Sequence, residues 1–386
     1  MEKRRAAEVF PPGEFIKEEL EAREWTQIEL AEILGRPLTV VNEIISGKRG
    51  ITPETAKGLG DAFGTSAEYW LNLESAYRLS RTPDHGGDVA RRSRLYAKAP
   101  IREMIKRRWI ESSDNVEVLE KHVLDFFGIS DLEDEPSFVS YAARKSGPYE
   151  GSRSPAETVW LLRARQLAET IAVSNTFSQG RLVEAIARLR ALLPTLNAIK
   201  DVPRILADAG IRFLIVEHLS KTRIDGACFW LSEESPVIAL SIRFDRVDAF
   251  WHTLMHELGH VRNGDGKDRV TLDIDIVSGR SQPENEIQGQ EKPAGETKAD
   301  WFAANMLVPQ DALETFTARV RPHYSKLKIR QFADQLKVHP GIVVGQLQHR
   351  HTIAFSHNRE MLEKVRDIIT QTALTDGWGF FPAVAS

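Results

Sequence analysis

The chain has 386 residues, 42% hydrophobic and 27% charged, a globular rather than disordered composition that predicts two or three domains instead of one core. A net charge of −4 offers nucleic acid no global attraction, so any DNA binding must come from a local surface, and the single cysteine, Cys228, excludes an intramolecular disulfide and fits a reducing compartment. No apolar signal core follows the basic N-terminus and no run reaches the roughly 18 apolar residues of a membrane span, so the expected setting is cytoplasmic, with no membrane.

Residues 1–80 read as an all-α domain of short helices punctuated by Gly35-Arg36-Pro37, Gly47 and Gly64-Thr65. Trp25–Gly35 predicts an amphipathic helix with Thr26 as N-cap and Gly35 as stop. Leu38–Ser46 predicts a second short helix closed by Gly47, and helix, tight turn, helix is the helix-turn-helix pattern. Recognition would fall to Thr39 and Asn42, with Asn42 suited to adenine, while Gln27, Lys48 and Arg49 would meet phosphate. The same residues 1–80 hold 10 Lys/Arg against 14 Asp/Glu, which predicts modest operator affinity and a homodimer to raise it. Residues 81–112 hold 9 against 4, including Arg91-Arg92 and Lys106-Arg107-Arg108, either a further phosphate surface or a solvated helix face.

Residues 81–200 open with a polar linker and continue as a helical middle region, with helices near Val116–Phe127, Pro155–Ser174 and Gln179–Leu193 and a loop at Ser146–Pro155. From residue 201 the pattern changes. Ile211–Val216, Ala227–Leu231 and Pro236–Leu240 are short apolar runs that predict strands of a small sheet. A helix then runs to about Arg262, with Asp245 and Asp248 at its start and Asn263-Gly264 at its end. Residues 264–295 predict a long polar loop, and Glu296–Leu307 a helix stopped by Pro309. The fold class expected is therefore multidomain α and α+β: an N-terminal helix-turn-helix (1–80), a helical middle (81–200) and a C-terminal α+β domain (201–386).

The C-terminal domain carries the chemistry. In His256-Glu257-Leu258-Gly259-His260 the two histidines lie one turn apart on one helix face, about 6 Å apart at Cβ, so both imidazoles can hold one Zn2+. Glu257 between them is placed as general base. Two surface histidines flanking a glutamate would be the plain alternative, but the motif sits on a capped helix with a third ligand available downstream. Glu296-Thr-Lys-Ala-Asp300 offers Glu296 as that ligand and Asp300, one turn on, to accept the free N–H of a ligand histidine. His252 is excluded as a co-ligand of His260, since eight residues span about 12 Å of helix. Asp265, Asp268, Asp273 and Asp275 read as solvated loop charges. Tyr324, His323 and Arg330 are the candidates to stabilise an oxyanion, and the sequence does not choose among them.

At these residues the chain resembles known families. Residues 11–79, through Gly47-Lys48-Arg49-Gly50-Ile51-Thr52-Pro53 and Tyr69-Trp70-Leu71, are similar to the XRE-type helix-turn-helix of HigA-like antitoxins. Residues from about 225 to 350 resemble the ImmA/IrrE metallopeptidases, in Phe250–His260, in Glu296–Ala303 with Met306-Leu-Val-Pro309, and in Val338–Leu347. The resemblance implies a zincin-like (gluzincin) core with His256, His260 and Glu296 as zinc ligands and Glu257 as base. It also implies a protein substrate among transcriptional repressors, operator DNA as a partner and a cognate toxin. The function expected is a DNA-binding regulator, antitoxin-like, with a zinc metalloendopeptidase domain. The alternative is a non-proteolytic repressor whose zinc site is structural or vestigial.

Overall fold

The computed structural model describes residues 9–82, 87–136, 153–267, 270–274, 276 and 294–377. These form two compact units, Met1–Val89 and Ala90–Ser386. Among the described residues no helix is long and apolar enough to cross a membrane.

Among its described residues the first unit is helical: α1 (Pro12–Ala22), α2 (Gln27–Leu34), α3 (Leu38–Ile45), α4 (Pro53–Phe63) and α5 (Ala67–Arg81). Thr26 caps α2 through a capping box, its Oγ1 accepting from the Glu29 amide at 3.2 Å while the Thr26 amide donates to Glu29 Oε2 at 2.6 Å. Gly35 closes the helix in the left-handed region, φ 62°, and the chain turns through Arg36-Pro37 into α3. Leu30, Ala31, Val41, Ile44, Ile45, Leu59, Phe63 and Trp70 fill the core between these short helices.

The second unit is α+β. It contains α6 (Asp88–Lys98), α7 (Ile101–Lys106), α8 (Val116–Phe127), α9 (Pro155–Thr170), α10 (Gln179–Leu192) and α11 (Val202–Asp208). These precede β1 (Arg212–Ile215), β2 (Ile224–Trp230) and β3 (Pro236–Leu240), which lead to α12 (Val247–Asn263), β4 (Thr271–Ile274) and α13 (Ala294–Leu307). The chain continues through α14 (Gln310–Val320), α15 (Lys326–Leu336), α16 (Pro340–His349), α17 (Arg366–Ile369) and β5 (Leu374–Thr375). The sheet has the order β4-β2-β3-β1-β5, with β1 parallel to β3 and β5, and β2 antiparallel to β3 and β4.

Two cores lie against the sheet. Leu95, Met104, Val123, Trp160, Leu167, Leu214, Ala227, Phe229 and Val237 belong to one; Leu182, Leu189, Cys228, Trp230, Ile238, Trp251, Leu254, Leu258 and Phe302 belong to the other. The helices expected as a separate middle region thus share their cores with the strands, because their apolar faces have the sheet to bury against. Arg107, read with its neighbours as a solvated or phosphate-binding charge, is instead buried: it donates to the Glu217 and His218 carbonyls and pairs with Glu103 and Asp376. Arg91 is drawn to Glu117 at 2.9 Å.

α12 is buried on nearly every face, as expected of a helix packed between a sheet and other helices. Its expected cap differs. Asp245 accepts from the Val365 and Arg366 amides at 2.9 and 2.8 Å, so it caps α17, whereas Asp248 pairs with Arg246. Gly264 ends α12 at φ 77°, as Asn263-Gly264 predicts. The expected loop 264–295 contains a strand, β4, among its described residues.

Candidate metal centre and helix-turn-helix surface

α12 and α13 cross at Gly259, where an added Cβ would lie only 3.0 Å from the Ala299 Cα. The missing side chain lets the helices approach and sets Glu296, in the first turn of α13, against the histidines of α12. The ring Nε2 atoms of His256 and His260 are 3.0 Å apart. Glu296 Oε2 lies 3.4 Å from His256 Nε2, and its Oε1 3.5 Å from His260 Nε2. Asp300 Oδ1 stands 2.9 Å from His256 Nδ1, on the side of the ring away from Glu296. The structure therefore brings His256, His260, Glu296 and Asp300 together.

Two acids that the sequence assigned to solvent join them. Asp265 follows Gly264, its amide bonded back to the His260 carbonyl at 2.9 Å, and its Oδ2 lies 3.0 Å from His260 Nδ1. Its own carbonyl accepts from Trp230 Nε1 at 2.8 Å, which ties the turn to β2. Each imidazole thus has a carboxylate behind it to fix the ring. Asp273, on β4, is buried with Oδ2 3.5 Å from His256 Nε2 and 3.7 Å from His260 Nε2. Its position next to Gly264 could have singled out Asp265; nothing local marks Asp273. Asp268 and Asp275 lie outside the described residues.

Glu257 is wholly buried and faces β2 at Gly226, where a Cβ would come within 2.2 Å of Glu257 Oε1. Glycine at that strand position makes room for the carboxylate, a signal that sequence reasoning missed. Burial and the neighbouring Asp273 push the Glu257 carboxyl well above the usual carboxylate range. Burial also opposes charging of the two rings but is outweighed by carboxylates: Asp273, Asp300 and Glu296 raise His256 well above an ordinary imidazole, and Asp265, Glu296 and Asp273 raise His260 to about 9. Burial would raise Glu296, yet the two histidines hold it far below its usual range.

One ligand atom from each of His256, His260, Asp273 and Glu296 lies within 4.8 Å of every other. Two imidazoles and carboxylate oxygen, buried and rich in acidic groups, suit a zinc ion. His252 packs towards His349, ring centroids 6.2 Å apart, consistent with its exclusion as a ligand. Tyr324 packs on Phe316 and lines a separate groove with His323, Ser325 and Asn358, while Arg330 lies near Glu360. None of the three stands among the ligand side chains described above.

In the first unit Val41, Ile44 and Ile45 anchor α3, leaving Thr39 and Asn42 exposed on its outer face. Gln27, Lys48 and Arg49 are exposed as well, but the Arg49 Nε pairs with Glu43 at 2.7 Å.

Comparison with known proteins divides the chain in the same way. Residues 16–70 match the family described as helix-turn-helix, and residues 208–351 the IrrE N-terminal-like domain. Virulence-associated protein A of Dichelobacter nodosus is 43% identical over 61 residues, 16% of this chain and 60% of that protein. The uncharacterized HTH-type transcriptional regulator YddM of Escherichia coli (strain K12) is 32% identical over 84 residues, 22% of this chain and 88% of that protein. Among solved structures, Pseudomonas aeruginosa antitoxin HigA with the higBA promoter is 36% identical, covering 19% of this chain and 80% of that one at a TM-score of 0.19. The chain spans 60% of the length of the first of these relatives.

Proposed function

Since the chain belongs to the helix-turn-helix family through residues 16–70 and carries an IrrE N-terminal-like domain over residues 208–351, we propose that it is a DNA-binding regulator with a zinc-dependent peptidase centre. The observation that carries the second half is the convergence of His256, His260 and Glu296 beside a buried Glu257. These three residues would hold the ion, with Asp300 and Asp265 orienting the rings. Bound zinc would polarise a peptide carbonyl and acidify water. Glu257 would accept the proton of the attacking water and hand it to the departing amine nitrogen. Burial and the neighbouring Asp273 shift its proton affinity upward, the direction in which a catalytic carboxylate is tuned. The substrate class that fits is a protein, with a transcriptional repressor the leading instance, acted on where proteins bound to DNA are found.

In the first unit, Thr39 and Asn42 would read bases from α3, and Gln27 and Lys48 would meet phosphate. A homodimer on operator DNA suits a module of this acidity, and a cognate toxin is a further partner in keeping with the relatives' names. One observation favours a second reading, a non-proteolytic regulator with a structural zinc: Asp273 supplies a fourth candidate ligand. Metal analysis tests the shared premise. Purified protein should carry about one zinc per chain, and His260→Ala should lose it; near-stoichiometric zinc in that variant contradicts the ligand assignment.

A further inference from the structure

We infer that Asp273 is a fourth ligand of this centre and that, while it is in place, the centre is latent; the inference rests on the metal-centre reading above. Four ligand atoms around zinc at about 2.0–2.1 Å form a tetrahedron whose edges are about 3.3–3.4 Å. The separations found are 3.0 Å between the two rings, 3.4 Å from Glu296 Oε2 to His256 and 3.5 Å from its Oε1 to His260, and 3.5 and 3.7 Å from Asp273 Oδ2 to the rings, with one ligand atom of each residue within 4.8 Å of every other. Asp273 is thus within ligand reach on both rings, in the position that a catalytic site leaves for water and substrate.

Its placement is built into the sheet. Asp273 pairs with Gly226 across β2 and β4, and two residues back Thr271 donates its hydroxyl to the Cys228 carbonyl at 2.9 Å. Alternation along β4 then turns Thr271 and Asp273 inward and leaves Ile274 exposed. A carboxylate buried to 5% exposure beside two other acids, Glu257 and Glu296, concentrates acidic groups at a point where a bound cation would be favoured.

Two features separate latency from a permanently structural site. First, Gly226 is kept clear for Glu257, and a closed structural centre has no use for a base. Second, the blocking ligand comes from a short edge strand of the sheet. β4 is four residues long, lies at the edge of the sheet formed by the described residues, where it pairs with β2, and shows a register irregularity between Ile224 and Gly226. Its withdrawal frees one ligand position and leaves His256, His260 and Glu296 undisturbed on their helices.

Cobalt(II) provides a readout independent of activity. The full chain, stripped of metal and reloaded with cobalt, is titrated with acetohydroxamate, a bidentate metal ligand, while the visible spectrum is recorded. Millimolar acetohydroxamate should leave the wild-type spectrum unchanged. Asp273→Ser should respond to it and bind zinc at least about tenfold more weakly in chelator competition. Asp273→Asn, nearly isosteric, serves if the serine variant does not fold, and the wild-type titration stands without either. If wild type takes up acetohydroxamate as tightly as the variant, with equal zinc affinity, Asp273 is not a ligand, while the three-ligand centre survives. If neither protein binds cobalt or zinc stoichiometrically, the metal-centre reading itself fails and this inference with it.

Discussion

Gly226→Ala probes the fit between strand and base without touching a ligand. The new methyl would stand 2.2 Å from Glu257 Oε1 and 3.1 Å from Glu257 Cδ and Leu240 Cδ2. The closest of these contacts is short of an ordinary carbon contact by more than about 1 Å. β2 is clamped between β3 and β4, and α12 is packed on all sides, so the carboxylate has to move. Overpacking of this kind costs about 1–3 kcal/mol. At about 2–4 °C per kcal/mol for a large domain, the melting temperature of the full chain should fall by several degrees. The same substitution in a Glu257→Ala background meets no carboxylate, so most of the penalty should vanish, a coupling of about 1–3 kcal/mol in the double-mutant cycle. Zinc content should be unchanged, because the atoms nearest the new methyl belong to Glu257 and Leu240 and not to His256, His260 or Glu296. Equal penalties in the two backgrounds would refute the reasoning and place the conflict elsewhere.

Other expectations follow from the same geometry. Asp265→Ala frees the His260 ring and should weaken zinc binding by about 10–100-fold in chelator competition, whereas a merely solvated Asp265 would leave affinity unchanged. In the metal-free chain His256, Glu257 and His260 all have raised proton affinity, so the folded state binds more protons than the unfolded one. The part from His260 is fully present below its ordinary 6.5 and lost as pH rises through about 9, so metal-free melting temperature should fall across that window. Saturating zinc should remove that slope, and a metal-free melting temperature that rises with pH there would contradict the proton accounting. For DNA, Asn42→Ala should cost about 1–3 kcal/mol on a cognate operator and little on random sequence. Lys48→Ala should weaken both and lower the salt slope by about one unit, and equal losses on both DNAs for Asn42→Ala would remove it from base reading.

The legible part of the site is the part carried by helical spacing. His256, Glu257 and His260 share one helix, and Glu296 and Asp300 another, so intervals of three and four residues already state who can face whom. Thr26 and Gly35 likewise mark α2 through local hydrogen bonding and backbone conformation. What stayed hidden depends on partners distant in sequence. β4 is a polar four-residue strand that exists by pairing with β2, so Asp273 reads as a loop acid until the sheet is assembled. Arg107 sits in a basic run that looks solvated, yet Asp376, from the far end of the chain, draws it inside. Asp245 resembles a cap for the next helix but serves α17, over a hundred residues on. The helices from α6 to α11 look self-sufficient because their periodicity shows an apolar face without showing what it meets.

The central claim is that Glu257 is a working base beside a zinc held by His256, His260 and Glu296. Glu257→Gln keeps the shape of the side chain and removes its proton affinity. Zinc content and cleavage of a substrate protein, measured side by side in this variant and in wild type under conditions where Asp273 is withdrawn and wild type cleaves, test it most directly. The account predicts unchanged zinc and cleavage lower by at least about 10²-fold. Undiminished cleavage by Glu257→Gln with its zinc in place would contradict it.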